Sequence, residues 1–330
     1  MRRKSVSYAK FGYIFSIPFV LAFLVFSLYP TIYTAVIGFT DLKGLTKTDF
    51  KFLSNPFQNF EQVLKNPSFI EALKNTALIW VINFIPQILL ALLLTAWFTS
   101  HRRHIRGQGA FKVLFYMPNI ITAATIAILF NALFGYPTGP VNDLLQTFGI
   151  SKESIYFLND KWTAKLIVSF IQFWTWYGYT MLIFISGVLG INPELFEAAE
   201  MDGASGRQTF FRITLPSLRT IMLYTLVTSL VGGLQMFDIP KLFISGGLGG
   251  PDNATLTTSV FIYNQAFVGS YMYNTAAAAS MIMFVIIAIL SGMLFFIMRD
   301  KSAAKLRKEE KKGIKAFRDA NKAVTRGADV

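Results

Sequence analysis

The chain of 330 residues is 53% hydrophobic, 15% aromatic and 15% charged, whereas an average soluble domain carries about 25% charged residues. Such a chain would be hard to keep in solution, so a membrane protein is expected. The net charge of +13 raises nucleic acid as a partner, but the charges gather beside apolar runs and none is expected; the absence of cysteine rules out a disulfide framework and thiolate metal sites.

Six apolar runs, 13–38, 76–98, 113–134, 166–189, 220–240 and 275–298, are long enough to cross a bilayer, because about 20 helical residues span a hydrocarbon core of roughly 30 Å. All are expected to be helices, since lipid satisfies no backbone donor or acceptor. An outer-membrane barrel would alternate with a period of two, and 282–297 does not. The predicted fold is therefore all-α and integral to a membrane, with six spans.

Lysine and arginine set the orientation. Four precede the first run, four lie in 102–112, three in 207–219 and eleven from Arg299 onward, which is 22 of 31. By the positive-inside rule both termini and the second and fourth loops are cytoplasmic. Residues 1–12 then form a cytoplasmic N-terminus, 13–298 the membrane domain and 299–330 a basic tail. Arg2, Arg3 and Lys4 before an apolar stretch imitate a signal peptide, but the stretch is about twice a typical h-region and no small-x-small site follows it. An uncleaved first span is expected.

Between the first two runs, Gly44, Asn55, Pro56, Asn66 and Pro67 predict a small external cap. His101 and His104 lie close together in a basic turn beside anionic headgroups, with no third ligand near, so no metal site is expected. An external segment, 135–163, contains a short amphipathic stretch at 141–148, and the glycine-rich 245–252 must be irregular. In the tail, Leu306, Ile314 and Phe317 among lysines suit either a helix on lipid headgroups or a solvated extension.

No phosphate-binding Gly-x-x-x-x-Gly-Lys-Ser/Thr loop, Gly-x-Ser-x-Gly or His-Glu-x-x-His occurs, so no catalytic residue is expected. Within the runs the only charged residue is Asp238, near a run's end, and Lys165 and Lys241 stand just outside one. Such groups are what proton-coupled or voltage-driven transport needs in its spans. The energy source is therefore expected outside the membrane domain.

The fourth loop is the most informative segment. Asn192 can cap a helix, Pro193 suits its first position and Glu194 favours the positive end of its dipole. Glu194, Glu197 and Glu200 follow at a spacing of three, an acidic stripe whose self-repulsion costs about 0.2–0.5 kcal/mol per pair. Asp202-Gly203 then breaks the helix. A second short element carries Phe210, Phe211 and Ile213, and Pro216 marks entry to the fifth span. The pattern suits either an ordinary connector or a knob presented to a partner.

Glu197-Ala198-Ala199, Asp202-Gly203-Ala204, Phe210 and Ile213-x-Leu215-Pro216 resemble the EAA loop of ABC-importer permeases. The resemblance extends through Leu28-Tyr29-Pro30, Phe39-Thr40-Asp41, Asn75-Thr76, Gly139-Pro140-Val141-Asn142, Gly249-Gly250-Pro251 and the alanines 276–279, which look like the maltose-type carbohydrate permeases, in the maltose-F-like half of a heterodimer. Asn274 departs from it, standing where that family usually has glycine. The resemblance implies an importer permease that pairs with a homologous second permease. Its other implied partners are two ATP-binding subunits, which would hold the ATP and Mg, and an extracytoplasmic solute-binding protein delivering a sugar. Glu197, Ala198, Ala199, Asp202, Gly203, Leu215 and Pro216 would then couple to the ATPase.

Sugars are recognised by aromatic faces, amides and hydroxyls. The fourth span offers Gln172, Trp174, Trp176, Tyr177 and Tyr179, and the fifth Ser229, Gln235 and Asp238. Ser229, Gly232, Gly233 and Met236 share one helical face. The substrate path is expected along that face, with Gln235, Trp174 and Tyr177, although small residues also mark plain helix crossings. The competing cargo is a polyol or glycerol phosphate, the latter requiring a cation in the cavity; a membrane enzyme or assembly factor would require a polar cluster that the sequence does not assemble.

Overall fold

The computed structural model describes residues 9–46, 49–100, 106–243, 249–298, 309–310 and 312–314. The two histidines at 101 and 104, the stretch 244–248 and nearly all of the basic tail lie outside them. Among the described residues the only β-structure is one antiparallel bridge between Thr40 and Phe52.

Helix α1 (Ala9–Phe23) passes through a π-helical turn, Leu24–Leu28, into α2 (Tyr29–Ile37). In the π turn the Tyr29 N–H bonds Leu24 O. Widening the helix just before Pro30 accommodates a residue that lacks an N–H and crowds the preceding turn. Every side chain from residue 10 to residue 33 is exposed, although the run is strongly apolar.

The end of α2 is held by amides. Asn59, on α3 (Gln58–Lys65), is buried and donates to Gly38 O at 2.9 Å and Thr40 O at 2.8 Å. Its own oxygen accepts from Asn274 Nδ2 at 3.1 Å. Asn274 thus has a structural use that glycine could not supply, joining the last span to the cap through one buried side-chain pair.

Asn66 caps α4 (Pro67–Phe98) by accepting from the Ser68 N–H. The helix therefore starts at Pro67, well before the apolar run, because Asn-Pro is a strong start signal that hydropathy does not weigh.

The run 113–134, expected as one span, is two helices. α5 (Gln108–Ile120) and α6 (Ala123–Leu133) meet at 93°. Ile121 and Thr122 are extended, and Thr122 Oγ1 accepts from Thr125 N to cap α6. Asn119 Nδ2 meanwhile donates to Thr175 O on the neighbouring helix. Among the described residues five helices are thus long and apolar enough to cross a membrane, and six spans result if the bent pair counts as one.

In α7 (Pro140–Thr147) the buried Asn142 bonds Gly135 O and both backbone groups of Ile155, closing the 135–155 loop on itself. Asp160 caps α8 (Lys161–Leu189), and hydrogen bonds from Thr163 hold its carboxyl below the usual carboxylate range. α8 is the hub, packing on α4, α5 and two later helices, Arg219–Leu234 and Asp238–Leu242. Its Gly178 lies so close to α5 that a Cβ there would sit 2.0 Å from Phe115 O.

A bent loop follows: α9 (Glu194–Met201), α10 (Gly206–Thr209), a second π turn at Phe210–Thr214 and α11 (Leu215–Ser217). It leads into α12 (Arg219–Leu234), closed by Gln235, and then α13 (Asp238–Leu242); together they make one candidate span, Arg219–Leu242, over the expected 220–240. α14 (Thr258–Phe267) is pinned to α4, where Thr76 Oγ1 accepts from Thr258 N at 2.9 Å. α15 (Tyr273–Met298) buries its alanines 276–279 where α3 and α14 cross it. Small residues at such crossings let helices approach where lipid gives no hydrophobic drive to associate.

Gly178→Val should force α5 away from α8, destabilising the protein by about 1–3 kcal/mol. A clear fall in the melting temperature of the detergent-solubilised protein is expected, and an unchanged midpoint would contradict the crossing.

Candidate functional site

Two features stand out at opposite ends of α12. The first is the bent loop before it. Asn192 Oδ1 accepts from Glu194 N at 3.1 Å while its Nδ2 donates to the Glu194 carboxylate at 3.0 Å. α9 then turns Phe196 and Ala199 inward, with Phe196 in an apolar cluster that includes Val188 and Leu218. Glu194, Glu197, Ala198 and Asp202 face out, and Met201 is 88% exposed at the tip.

Gly203 ends the helix at φ +73°, with Gly203 N bonding Glu200 O and Ala204 N bonding Ala199 O. That pair of bonds is a Schellman closure. Nothing lies within 4 Å of the space a Gly203 Cβ would take, so backbone conformation and not crowding requires glycine here. The chain restarts at once through a capping box between Ser205 and Gln208.

The π turn then precedes Pro216 as the first preceded Pro30, with Leu215 N bonding Phe210 O. Of the residues expected to couple, Glu197, Ala198, Asp202, Gly203 and Pro216 are exposed. Ala199 is buried within the chain and Leu215 half-buried, so both support the loop's shape and neither forms part of its outer surface. Beside the loop, a cleft of 560 Å³ separates Phe210 and Phe211 from Trp97 at the end of α4.

The second feature is a cavity of 320 Å³ walled by α4, α8 and α12. Ser229, Gly232 and Gly233 line it from one face of α12, and Met236 lines it from just beyond the helix end. Opposite them, Trp80 of α4 donates its indole N–H to Ser229 Oγ at 3.2 Å and stacks on Phe84. A Cβ on Gly233 would lie 1.9 Å from Trp80 Cδ1, so only glycine lets the indole lie there. Gln87 Nε2 donates to Thr180 Oγ1 at 2.8 Å, tying α4 to α8 across the floor.

Three expected path residues are elsewhere. Trp174 packs edge-on against Phe130, and Tyr177 is 8% exposed between Phe173 and Phe115. Gln235 is exposed and does not line the cavity. The α8 residues that do line it are Gln172, Trp176, Tyr179, Thr180 and Ile183. They sit at i, i+4, i+7, i+8 and i+11, one helical face, from which 174 and 177 are turned away. Trp80 carries no local sign of its role, which appears only when α4 and α12 meet. The lining is aromatic, amide and hydroxyl, suited to binding a polyhydroxylated molecule.

Residues 75–308 match the family of binding-protein-dependent transport system inner membrane components. The chain belongs to that family. It is 31% identical over 290 residues to the lactose transport system permease protein LacF of Rhizobium radiobacter, covering 88% of this chain and 94% of LacF. It is also 31% identical over 279 residues to the arabinooligosaccharides transport system permease protein AraP of Bacillus subtilis, covering 84% of this chain and 85% of that one. In structure it resembles a chain of a bacterial ABC transporter that imports the acidic polysaccharide alginate. The TM-score is 0.74 at 24% identity, covering 87% of this chain and 94% of the other. The permease is therefore a multi-pass inner-membrane component of a transport system.

In this permease Gly233→Ala should push the Trp80 indole off α12, costing about 1–3 kcal/mol. Intrinsic tryptophan emission should shift with it; an unaltered spectrum and melting temperature would mean that Trp80 does not rest on Gly233.

Proposed function

We propose that the chain is one of two permease subunits of an ATP-driven sugar importer, that the 320 Å³ cavity is its half of the translocation path, and that the 192–219 loop receives the force of a separate ATPase. The observation that carries this reading is mechanical. The cavity wall Tyr224–Met236 and the bent loop are successive parts of one stretch of chain, joined through Leu218, which is fully buried in the apolar cluster with Phe196 and Val188. A displacement of α9 has to move α12, because a packed cluster transmits shifts and does not absorb them.

The outer surface of the loop supports docking. Three carboxylates and an exposed methionine on a capped helix form a charged rim around an apolar tip, the usual make-up of a small interface. Its position follows from the positive-inside distribution of lysine and arginine, which puts this end of α12 in the cytoplasm. ATP and Mg²⁺ belong to the partner ATPase, consistent with a chain that has no phosphate-binding loop of its own. The family description and the sugars named for LacF and AraP support a solute-binding protein and a saccharide as the other partners.

The exposed apolar face of α1 and α2 supports contact with lipid and with a second, homologous permease that completes the path. A swing of the loop would then tilt α12 against α4 and α8 and change which end of the cavity is open.

Two substitutions separate coupling from folding. Gly203→Pro cannot adopt φ +73° and removes the N–H that bonds Glu200 O; Glu197→Lys reverses the charge of the rim. In proteoliposomes each should lower sugar uptake about tenfold or more and abolish sugar-stimulated ATP hydrolysis, with the protein still in the membrane. Wild-type uptake by both variants would remove the loop from the mechanism.

A further inference from the structure

The chemistry of the cavity bears on the charge of what passes through it. We infer that this permease passes neutral saccharides and rejects anionic ones such as oligouronates and sugar or glycerol phosphates. The inference rests on the cavity being the path, and it is drawn from what the cavity wall holds.

None of the fifteen residues lining the cavity is charged. The neutrality extends well beyond that lining. No Asp, Glu, Lys, Arg or His occurs in 75–98 of α4, in 166–189 of α8, or in 220–237 through α12. Rotating any of these three stretches about its own axis therefore brings no cation of that stretch to the path.

An anion entering such a site gives up water and gains no counter-charge, at a cost of several kcal/mol. Hydrogen-bond donors could compensate, but three of those present are already committed. Gln87 donates to Thr180, the Trp80 indole to Ser229, and Asn83 to Ile79 O on its own helix. What the wall offers instead is aromatic surface, above all the 44% exposed Trp176, which meets Tyr179 edge to face at 5.8 Å.

Aromatic faces carry the negative end of the ring quadrupole, so they attract the weakly positive C–H face of a sugar and repel a carboxylate or phosphate. Around those rings, the amide of Gln172 and the phenols of Tyr179 and Tyr224 can both donate and accept, which suits hydroxyl groups. Likeness in fold to an importer of an acidic polysaccharide therefore does not extend to the charge of the cargo.

The test uses the whole transporter, with both permeases, the ATPase and the binding protein, in proteoliposomes. Stimulated ATP hydrolysis is measured with a neutral pool, made of oligosaccharides from starch, hemicellulose and milk sugar, and with an anionic pool of oligogalacturonates, oligoalginates and glycerol 3-phosphate. Stimulation by the neutral pool alone is expected. Stimulation by the anionic pool would overturn the inference, and stimulation by neither would overturn the sugar reading beneath it.

A pair of charge insertions then isolates the permease from the binding protein's own selectivity. Thr228 lines the cavity, and its hydroxyl bonds only carbonyls of its own helix, Tyr224 O and Thr225 O, so replacing it breaks no contact between helices. Thr228→Lys and Thr228→Glu should both reduce uptake of the stimulating saccharides by about tenfold or more, whatever the sign of the charge. Co-purification of all subunits shows that the complex has assembled. Retained uptake with Thr228→Lys beside lost uptake with Thr228→Glu would mean an anionic cargo and would overturn the inference alone. Wild-type uptake by both would instead show that the cavity is not the path.

Discussion

Backbone-to-backbone approach along α8 is the constraint from which the rest of this structure follows. Gly178 admits the main chain of α5 at Phe115, and Gly187 receives Ile221 of α12 and Leu218 just before it, whose side chains would lie 2.4 Å and 2.7 Å from an added Cβ. A membrane supplies no hydrophobic drive between helices, so such contacts and the hydrogen bonds across them must hold the bundle together. Held at these two places, α8 leaves a gap on its Gln172–Trp176–Tyr179 face, and α4 and α12 close around it. The cavity is thus set by where glycine lets helices touch and where aromatic rings keep them apart.

The bent loop is built on the same economy. Its shape comes from local devices laid end to end: the Asn192 cap, the Schellman closure at Gly203, the Ser205–Gln208 capping box and the π turn before Pro216. Each satisfies backbone groups that a helix end would otherwise leave open. The loop needs few long-range contacts to keep its form, so its outer surface can be presented to a partner while Phe196 and Leu218 anchor it inward. A rigid knob on a packed cluster can deliver force to α12 in a way that a flexible connector cannot.

How much of this was legible in the sequence depended on the range of the interaction involved. The loop was readable almost residue by residue, because caps and glycine breaks act over three or four positions. The apolar runs announced the spans, yet hydropathy counts side chains and not dihedrals. It therefore missed the Thr122 cap that folds 113–134 in two and the Asn66-Pro67 start of α4. Along α12, spacing of three and four puts Ser229, Gly232 and Gly233 on the face that lines the cavity, while Met236 reaches it from beyond the helix end. Along α8 residue type alone points to Trp174 and Tyr177, but helical phase turns both toward the core. Trp80 was invisible because its partners Ser229 and Gly233 lie about 150 residues away in the chain.

The central claim is that the cavity beside α12 opens alternately to the two sides of the membrane under control of the ATPase. Because the chain contains no cysteine, one introduced at Gly232 would be its sole thiol there. The decisive measurement is the reaction of that thiol with a membrane-impermeant reagent applied from each side, with and without trapped nucleotide on a cysteine-free partner complex. Modification should switch sides between the two states and slow when sugar occupies the path. Reactivity from one side alone, indifferent to nucleotide and sugar, would contradict the account.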